Sequence, residues 1–427
     1  MLKILLVSAW GGTVGMGQRL LDEGHDVRIH ISDNDSQDVG EGLVPKVENL
    51  DRAIERADLI VFDDTGFGEQ AEKLRAKGKT VWGGSAYSDK LELDRTFGQE
   101  EMREAGLSIL ACETFSSLPN GIAHLTNHPG RYVFKPHGDG QNDKILTYIG
   151  QTDDGSDMLT FMEQVGRKWS KSVKEYELQQ FVAGVEIGIS GFFNGLDFIE
   201  PIAATFEHKP LMNGNIGPAT GEMGTTMFWT NKHSKLYQQT IGKLVAKLQG
   251  YVGYLDINCI VDKQVIFPLE FTTRFGYPTL YLMLESILGD WGQRMYDIAR
   301  GKFMTLEVSD PVAMCVVIAT PPWPYASREA FEKYAKGTLI NVEGASAHKL
   351  PQGIWPVEVK CVGDELVVAG DSGYNLIATG SGATLEDAKR MAYHRVEKVK
   401  IPNMMYRTDI GFTWEDDLAK LRQWGWM

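Results

Sequence analysis

The sequence predicts an α/β protein built from several domains, and three observations carry this prediction. Short apolar runs alternate with amphipathic segments through residues 1–88, which is typical of parallel strands joined by crossover helices. Residues 255–278 instead read as two adjacent strands, a polar turn and a charged loop. The chain has 427 residues, too many for one ordinary core, and this length indicates roughly two to four domains.

The composition is that of a globular protein that folds in water. Hydrophobic residues make up 43% of the chain and charged residues 23%, and both are ordinary values. The formal net charge of -14 argues against a nucleic-acid or anionic-membrane partner, because either surface would repel an acidic protein. No apolar run approaches the ~18 residues that a membrane span needs.

The cysteine pattern indicates reduced thiols rather than a zinc site. Cys112, Cys259, Cys315 and Cys361 are far apart, lie in or near apolar runs, and form no C-x-x-C pair. Buried reduced thiols are typical of cytosolic proteins. The N-terminal run LKILLVSAW could imitate a signal-peptide core, but Gly-Gly and an amphipathic segment follow it, so we read it as a strand. We therefore expect a cytoplasmic protein.

The elements of residues 1–88 follow from local patterns. Apolar runs predict four strands, at residues 4–9, 27–31, 59–62 and 80–82. Amphipathic segments predict helices at residues 15–23, 48–57 and 68–77. The glycines after the first strand are ordered G-G-x-x-G-x-G, which differs from the G-x-G-x-x-G of dinucleotide-binding turns. Two interpretations of this turn remain open: it binds an anion at the N-terminus of the following helix, or it is a plain tight turn.

Basic groups are predicted in the segment that follows this first domain. Residues 89–128 read as mostly helical, with Asp89 as the N-cap. The run Tyr132–Pro136 is a predicted strand that presents Lys135, and such a lysine supplies charge to phosphates without a strict angular demand. A glycine-containing loop with Lys144 follows, and its backbone amides could cap phosphates. A plain surface turn is the alternative for this loop.

The most informative stretch is the predicted hairpin of residues 255–278, whose strands flank the polar turn D-K-Q. Alternation along the first strand puts Asp256 and Asn258 on one face. In the second strand alternation does the same for Glu270 and Thr272. Pairing of the two strands would bring these oxygen ligands together, and such ligands suit Mg²⁺.

An arginine follows the hairpin directly. The planar guanidinium of Arg274 can bond two oxygen atoms of a phosphoryl group at once. The alternative is a hairpin whose polar residues merely face solvent.

The remainder of the chain reads as further helices and a last α+β portion. Helices are predicted at residues 232–249 and 280–298, and a strand over 313–319 begins the last portion. Thr384 is a predicted N-cap with Asp387 three residues on, a variant of the capping box.

Several motifs resemble those of one enzyme family. Residues 270–279 read E-F-T-T-R-F-G-Y-P-T, which resembles the E-F-N-x-R-F-G-D-P-E motif of the phosphoribosylamine–glycine ligase (glycinamide ribonucleotide synthetase) family of ATP-grasp enzymes. Residues 176–186, YELQQFVAGVE, are similar to its V-I-E-E-F-L-x-G-E-E hinge. Residues 204–209 and 217–224, ATFEHK and GPATGEMG, parallel its A-T-S-Q-D-H-K and T-G-P-N-T-G-G-M-G segments. Residues 406–411, YRTDIG, resemble its C-R-K-D-I-G.

This resemblance implies the ATP-grasp fold, with an N-terminal parallel α/β (pre-ATP-grasp) domain and a C-terminal α+β domain. The divisions that it implies are an N-terminal α/β domain (1–88), a helical connection (89–128), a small ATP-grasp lobe (129–190), a large ATP-grasp lobe with the metal hairpin (191–310) and the C-terminal domain (311–427).

The resemblance also implies site residues, by their positions in the family motifs. The residues implied in ATP binding are Lys90, Lys135, Lys144, Gln179, Gln180, Val182 and Glu186. Mg²⁺, with Mn²⁺ as an alternative, would be held by Glu270, and the candidates for further ligands are Asp256, Asn258 and Thr272. The implied substrate site comprises Glu207, Lys209, Thr220, Gly221, Met223, Gly224 and Arg274. Lys135 and Arg274 are the implied catalytic residues.

The sequence departs from the family pattern in the hairpin motif and in the turn after the first strand. Thr272, Tyr277 and Thr279 stand where the family has Asn, Asp and Glu. The turn after the first strand, residues 9–16, keeps its glycines but lacks the Arg-Glu-His that contributes to the phosphoribosylamine site in the family. The identity of the amine substrate is therefore open.

The resemblance implies an ATP-dependent ligase that joins a carboxylate to an amine through an acyl phosphate. Its substrates would be glycine or a similar amino acid and an amine acceptor. Three hypotheses follow: a phosphoribosylamine–glycine ligase of purine biosynthesis, a divergent ligase that joins glycine or another amino acid to a different amine, and a non-catalytic nucleotide-binding protein. The sequence does not indicate the oligomeric state.

Overall fold

The computed structural model describes residues 1–136, 147–164, 173, 175–346 and 348–427. Their strands form a parallel sheet near the N-terminus and antiparallel sheets in the rest of the chain. Among these residues, no helix is both long enough and apolar enough to cross a membrane.

The N-terminal sheet has four parallel strands and confirms the predicted alternation. Its strands are β1 (Lys3–Ser8), β2 (Asp26–Ile31), β3 (Leu59–Phe62) and β4 (Val81–Trp82), in the order β2-β1-β3-β4. The helices between them are α1 (Val14–Asp22), α2 (Leu50–Arg56) and α3 (Gly68–Ala76). Val7 of β1 pairs with Phe62 of β3, so the next residues, Ser8 and Asp63, lie side by side at the carboxyl edge of the sheet.

The helical connection is present, but Asp89 does not cap a helix. The helices are α4 (Ala86–Leu93), α5 (Arg95–Glu104) and α6 (Leu118–Asn127). Ser85 caps α4 in a capping box with Ser88. The Asp89 carboxylate instead accepts a hydrogen bond from the Gly68 amide at 2.8 Å, which joins α4 to α3. Asp94 caps α5.

A small antiparallel sheet follows the helical connection. Its strands are β5 (Cys112–Phe115), β6 (Tyr132–Pro136), β7 (Tyr148–Ile149) and β8 (Tyr176–Gln180), in the order β5-β8-β6-β7. Helix α7 (Ser156–Gln164) covers it through Met158 and Met162. The predicted strand over 132–136 is confirmed, and Lys144 lies outside the described residues.

The rest of the chain is dominated by an eight-stranded antiparallel sheet, of order β15-β14-β9-β10-β13-β16-β21-β18. The strands of this region are β9 (Val185–Asn194), β10 (Phe198–Glu207), β11 (Pro210–Met212), β12 (Ile216–Ala219), β13 (Gly224–Thr230), β14 (Val252–Val261), β15 (Ile266–Thr272), β16 (Val312–Ala319), β17 (Leu339–Val342), β18 (Ile354–Pro356), β19 (Val359–Val362), β20 (Glu365–Val368), β21 (Tyr374–Gly382) and β22 (Val399–Lys400). Strands β11 and β12 form a separate hairpin, and β19-β20-β17-β22 form a further sheet.

The proposed boundary at residue 310 does not coincide with a break in this sheet. Strand β16 pairs with β13 on one edge and with β21 on the other, so hydrogen bonding continues across the boundary. The five-part division of the chain therefore stays a prediction.

The predicted helices of this region are shorter than expected. The observed helices are α8 (Lys235–Gln238), α9 (Thr279–Ser286), α10 (Trp291–Ala299), α11 (Arg328–Tyr334), α12 (Leu385–Glu397) and α13 (Trp414–Gln423). The predicted helix over 232–249 is wrong, since only α8 and a short 3-10 turn form there. The predicted helix over 280–298 breaks in two because Gly289 has a positive φ of 85° and Asp290 caps α10. The predicted Thr384 cap is confirmed, because its side chain accepts from the Asp387 amide.

An aromatic cluster joins the N-terminal sheet to the large sheet. Trp82 of β4 stacks on Phe275 at 5.7 Å and meets Phe192 of β9 and Trp291 of α10 edge-on. Trp82, Phe192, Phe275 and Trp291 are all buried, and such rings contribute more than their buried area alone. The carboxyl edge of the N-terminal sheet is thereby held against the end of the β14–β15 hairpin.

A buried arginine anchors the β11–β12 hairpin. Arg407 donates to both carboxylate oxygens of Asp409, at 2.8 and 2.9 Å. It also donates to the Pro210 carbonyl at 3.0 Å and to Asn215 at 2.8 Å. The segment of residues 217–224, which begins within β12, is thus tied to the C-terminal region.

We predict that Arg407→Ala lowers the free energy of unfolding by about 3–5 kcal/mol, because it leaves Asp409 and the hairpin without their buried partner. Urea denaturation measures this loss. Arg390→Ala is the matched control, since Arg390 is exposed and pairs with Asp387 at 2.8 Å; it should change stability by less than about 1 kcal/mol. Equal stabilities of the two variants would contradict the anchoring role of Arg407.

Candidate functional site

Strands β14 and β15 pair in the arrangement that the sequence predicts. Asp256 lies opposite Thr272, and Asn258 lies opposite Glu270. Opposed residues of an antiparallel pair share a face, so these four side chains point to one side of the sheet. Asp256 is 5% exposed and Asn258 is 4% exposed.

A second set of acids reaches the same face from neighbouring strands. Glu207, the last residue of β10, accepts a hydrogen bond from Asn258 Nδ2 at 2.9 Å. Lys209 follows two residues on, and its Nζ lies 2.7 Å from Glu186 and 3.3 Å from Glu207. Glu270 also acts electrostatically on this ammonium group. Several carboxylates therefore surround a single lysine.

Burial, together with the excess of carboxylates, shifts the pKa values of this cluster. Burial, followed by repulsion from Glu207 and Glu270, raises the pKa of Asp256 well above its ordinary value. Burial also raises the pKa of Glu207, against the lowering effect of Lys209. Burial alone would lower the pKa of Lys209, but the surrounding carboxylates raise it well above its ordinary value. A cluster of this kind is stabilised by an added cation.

Two oxygen atoms on this face fit a divalent cation. Asp256 Oδ1 and Asn258 Oδ1 are buried and have no hydrogen-bond partner among the residues that the structure describes. A buried polar atom without a partner costs about 1–3 kcal/mol, and carboxylate and amide oxygens are ligands that Mg²⁺ prefers. Gly188 keeps the adjoining space open, since a Cβ there would lie 3.0 Å from Asp256 Oδ1. The donor set therefore fits Mg²⁺ or a similar ion, with Glu270 and Thr272 across the hairpin.

Arg274 ties the hairpin to the N-terminal half of the chain. Its guanidinium lies 3.1 Å from Glu92 of α4 and 3.6 Å from Asp64, which follows β3. The Thr273 amide donates to the same Glu92 carboxylate at 2.7 Å. Burial would lower the pKa of Arg274, but Glu92 and Asp64 raise it above its ordinary value. A phosphate bound by this arginine would share it with two carboxylates.

The lysine-bearing strand β6 is tied to α5 by an arginine that the sequence analysis missed. Lys135 is half-buried and lies opposite Glu177 of β8. Arg95, the first residue of α5, donates to the Pro136 carbonyl at 2.9 Å and lies 3.6 Å from Glu177. Arg95 and Glu270 line the same cleft. The sequence signal that could have identified Arg95 was a basic residue directly after Asp94, the N-cap of α5.

This cleft lies between α5 and β15 and has a volume of about 110 Å³. Its polar lining consists of Glu92, Arg95, Gln99, Glu270, Thr272 and Arg274. The cleft therefore brings a strand-end carboxylate and two arginines together beside the strand that carries Lys135.

The predicted adenine hinge is the end of β8 and the link that follows it. Gln179 is buried, and its Nε2 has no partner within the described ranges. The Gln180 amide donates to the Ala111 carbonyl at 2.9 Å. Val182 is half-buried in the link to β9. Glu186, predicted to bond a ribose, is held by Lys209.

Lys90 lies apart from the cleft. Its ammonium group sits 4.1 Å above the centre of the Phe97 ring, on an exposed part of α4. A cation in this position gains from the electron-rich face of the ring. The structure therefore brings Arg95 to the hairpin, and the predicted phosphate contact of Lys90 stays a prediction.

The loop of residues 217–224 is held by its backbone. Thr220 donates to the Lys209 carbonyl from both its amide, at 2.9 Å, and its hydroxyl, at 2.7 Å. Gly221 is exposed, with open space where a side chain would stand. The Thr220 hydroxyl proton is thus already engaged, and only the lone pairs of its oxygen remain for a further hydrogen bond.

The end of this loop packs into the large sheet. The Met223 sulfur accepts a hydrogen bond from the Trp323 indole at 3.3 Å. A Cβ at Gly224 would lie 2.6 Å from the Cys315 carbonyl, so glycine is required for this approach to β16. Met223 and Gly224 therefore position the loop from within the core.

Glu222 is a further acid of this site that the sequence analysis missed. It is 6% exposed, and its Oε1 has no partner in the described part of the chain. Burial, and then Glu207, raise its pKa well above the ordinary value. The available signal was that the family motif T-G-P-N-T-G-G-M-G has glycine at this position, where this chain has glutamate.

Aromatic rings fill the space around the glycine turn after β1. A Cβ at Gly12 would lie 2.7 Å from the ring of Tyr277. The Tyr281 hydroxyl donates to the Gly12 carbonyl and lies against the backbone amides of Gly15 and Met16. The sequence analysis left open whether an anion binds at the N-terminus of α1. In the structure the Tyr281 hydroxyl lies at this helix N-terminus.

Asp63 lies beside this turn at the carboxyl edge of the N-terminal sheet. Its carboxylate accepts hydrogen bonds from Ser8 at 2.5 Å, Thr13 at 2.9 Å and the Ala9 amide at 3.1 Å. The Tyr277 hydroxyl donates to it at 3.3 Å. Burial raises the pKa of Asp63 to about 7.

We predict that Asp63→Asn becomes more stable relative to the unmodified protein as the pH rises from about 4 to about 7. Because the folded pKa of about 7 exceeds the ordinary 3.8, the stabilisation from the protonated form is complete below 3.8 and is lost as the pH passes 7. The slope should approach about 1.4 kcal/mol per pH unit, measured by urea denaturation. Exposed Asp416→Asn is the control; a pH-independent difference for Asp63→Asn would contradict the raised pKa.

Comparisons with known proteins identify similar sequences and folds. The family model described as phosphoribosylglycinamide synthetase, ATP-grasp (A) domain, matches residues 94–280. A phosphoribosylamine–glycine ligase of Clostridium acetobutylicum is 23% identical over 432 residues, which cover 96% of this chain and 99% of the relative.

Solved structures show the same fold. A phosphoribosylamine–glycine ligase from Thermotoga maritima superimposes with a TM-score of 0.73 at 20% identity, over 95% of this chain and 100% of that one. A biotin carboxylase from Campylobacter jejuni, solved as a β,γ-ATP complex, gives a TM-score of 0.63 at 12% identity, over 99% and 97% of the two chains. Residues 94–280 thus match an ATP-grasp domain, and the described chain shares its fold with these solved structures.

Proposed function

We propose that the protein is an ATP-dependent ligase that joins a small carboxylate, glycine in the first instance, to an amine. In this respect it is most like the phosphoribosylamine–glycine ligases of purine biosynthesis. The observation that carries the proposal is the face of the β14–β15 hairpin. There Asp256, Asn258 and Glu270 present oxygen ligands beside the cleft that Arg95 and Arg274 line.

Asp256, Asn258 and Glu270 would hold the metal ion, with Thr272 contributing its hydroxyl group. The carboxylates supply the negative charge that a divalent cation requires, and the strands fix their spacing. A divalent ion held by these residues would supply positive charge that neutralises phosphate charge during transfer.

The nucleotide would lie between the small sheet and the hairpin. Lys135 and Arg95 supply positive charge from the side of the small sheet, and Arg274 supplies it from the hairpin side. Gln179 and the backbone from Gln180 to Val182 would bind adenine, and Glu186 would bind the ribose hydroxyls after leaving Lys209. Arginine suits the phosphates because its fork bonds two oxygen atoms at once.

The reaction consists of two displacements. A carboxylate oxygen of the amino acid attacks the γ-phosphorus of ATP, the bond to the β-phosphate oxygen breaks, and ADP leaves. The amine nitrogen then attacks the acyl carbon, the bond to the phosphate oxygen breaks, and the amine loses a proton as the amide forms. The chain contributes positioning and charge neutralisation, which are the main requirements of such transfers.

A second candidate function is a ligase that joins glycine or another amino acid to a different amine. The observation that favours it is the Tyr281 hydroxyl at the N-terminus of α1, together with the Tyr277 ring against Gly12. A phosphate group would need the space and the backbone amides that these tyrosines occupy.

Turnover assays separate these functions and the non-catalytic alternative. Release of ADP with glycine only when phosphoribosylamine is present supports the first function. Release with glycine and another amine supports the second. Binding of ATP without turnover for any amino acid and amine would instead indicate a nucleotide-binding protein without ligase activity.

We predict that Glu270→Ala abolishes ATP turnover, because it removes a carboxylate ligand that the metal ion requires. Removal of divalent ions with EDTA should have the same effect, and added Mg²⁺ should restore activity to the unmodified protein only. The exposed Glu69→Gln variant is the control. A near-normal rate for Glu270→Ala would contradict the assignment of the hairpin.

We also predict that Arg95→Ala raises the KM for ATP by about tenfold or more, because one charged hydrogen bond to phosphate is worth about 1.5–3 kcal/mol. Lys90→Ala is the matched comparison and should have the smaller effect. Initial rates at varied ATP concentration measure both. A larger effect of Lys90→Ala would contradict the placement of Arg95 beside the phosphates.

A further inference from the structure

Four aromatic side chains form a row from the glycine turn to the loop of residues 217–224. We call Tyr277, Trp10, Tyr374 and Trp323 the aromatic row. Trp10 meets Tyr277 at 5.2 Å and Tyr374 at 6.3 Å, measured between ring centres. Tyr374 in turn lies 5.1 Å from Trp323. Three of these rings are half-buried, and Tyr374 is buried.

Two buried polar groups at the end of this row lack a partner. Glu222 Oε1 and the Tyr374 hydroxyl make no hydrogen bond to any residue that the structure describes. The two groups interact electrostatically, so they lie near one another. Buried polar groups without partners are uncommon in folded proteins, and together these two mark a place where a ligand would complete the hydrogen bonding.

The chemistry of this place suits a cation. A buried carboxylate without a counter-ion is costly, and a bound ammonium group would neutralise it. The faces of tryptophan and tyrosine rings also attract an ammonium group. Lys209, a cation near Glu222, is already shared between Glu186 and Glu207.

The same region is unsuited to a phosphate. At the carboxyl edge of the N-terminal sheet, basic side chains are already paired with acids. Arg328 lies 2.9 Å from Asp35, and Lys336 and Lys360 lie 3.6 and 3.1 Å from Asp38. The amides at the start of α1 face the Tyr281 hydroxyl. A phosphorylated ligand would thus meet acidic side chains without an uncommitted cation in the described part of this edge.

We propose that Glu222 and the aromatic row bind the amine acceptor, and that this acceptor is an unphosphorylated amine whose ammonium group pairs with Glu222. The inference rests on the proposed ligase function and adds the chemical class of its second substrate. Glu222 acts here as a residue that determines specificity. The amine loses its extra proton before it attacks the acyl carbon, and Glu222 is the carboxylate placed to receive it.

The test compares matched amines in the full-length protein. Glucosamine with glucosamine 6-phosphate, and ethanolamine with O-phosphoethanolamine, differ only by a phosphate group; phosphoribosylamine is added as the family substrate. Calorimetry measures binding of each amine, and glycine-dependent release of ADP measures turnover. We expect the unphosphorylated member of each pair to bind and react in preference.

The variant Glu222→Gln keeps the shape of the side chain and removes its charge. We expect it to raise the Kd and the KM of the amine by about tenfold to a hundredfold and to leave the KM of ATP unchanged. We expect its stability to match that of the unmodified protein, because burial favours the uncharged form of Glu222 when no amine is bound and glutamine has the same shape. Exposed Glu69→Gln is the matched control.

The outcomes distinguish this inference from the ligase proposal. The inference is overturned if the protein prefers the phosphorylated member of each pair or phosphoribosylamine. It is also overturned if Glu222→Gln binds the amine with unchanged affinity. In either case, amine-dependent release of ADP would still support the ligase proposal. Failure of every amine to bind also overturns the inference. Binding of unphosphorylated amines that depends on Glu222, without turnover of any amine, upholds the ammonium site and contradicts the ligase.

Discussion

A cluster of carboxyl groups, most of them buried, on one face of the large sheet is the constraint on which the rest of this structure depends. Glu186, Glu207, Asp256 and Glu270 all act on the ammonium group of Lys209. One lysine cannot compensate all of them, and burial makes each uncompensated charge costly. The chain tolerates this arrangement because Lys209 and the hydrogen bond from Asn258 to Glu207 offset part of the repulsion. The remaining repulsion favours binding of a further cation, and a divalent metal ion would supply that positive charge.

The fold fixes the positions of these charged side chains relative to one another. The β14–β15 pairing fixes which side chains face each other, and Arg274 with Glu92 fixes the hairpin against α4. The N-terminal sheet is packed against the large sheet by the aromatic cluster of Trp82, Phe192, Phe275 and Trp291. The ion pair and the ring contacts join elements that are distant in sequence. The cleft therefore forms only when these elements have packed together. Preorganisation of charged groups by rigid strands is the main source of rate enhancement in phosphoryl transfer.

The sequence predicted local features well and long-range contacts poorly. The faces that the hairpin side chains share could be predicted because side chains alternate along strands. The register itself has no such signal, because it depends on a bulge between Asn258 and Cys259. The break between α9 and α10 could also have been predicted, since Gly289 and Asp290 together end one helix and cap the next. The pairing of Arg274 with Asp64, by contrast, joins residues 210 positions apart in the chain and has no local signal. The site residues themselves rest on resemblance, so the roles of Lys135, Gln179 and Thr220 remain proposals.

The structure shows what two of the residues that depart from the family pattern contact. Tyr277 stands where the family has Asp, and its hydroxyl donates to Asp63 while its ring covers Gly12. Glu222 stands where the family has Gly, and its carboxylate joins the acidic face. Both changes lie on the side of the proposed acceptor, whereas Glu270 and Arg274 on the nucleotide side keep the family residues. A crystal structure with Mg²⁺ and a non-hydrolysable ATP analogue tests this account most directly. The account predicts phosphates between Lys135 and the hairpin, with the metal ion on Glu270 and Asp256; phosphates at the N-terminus of α1, or a vacant cleft, would contradict it.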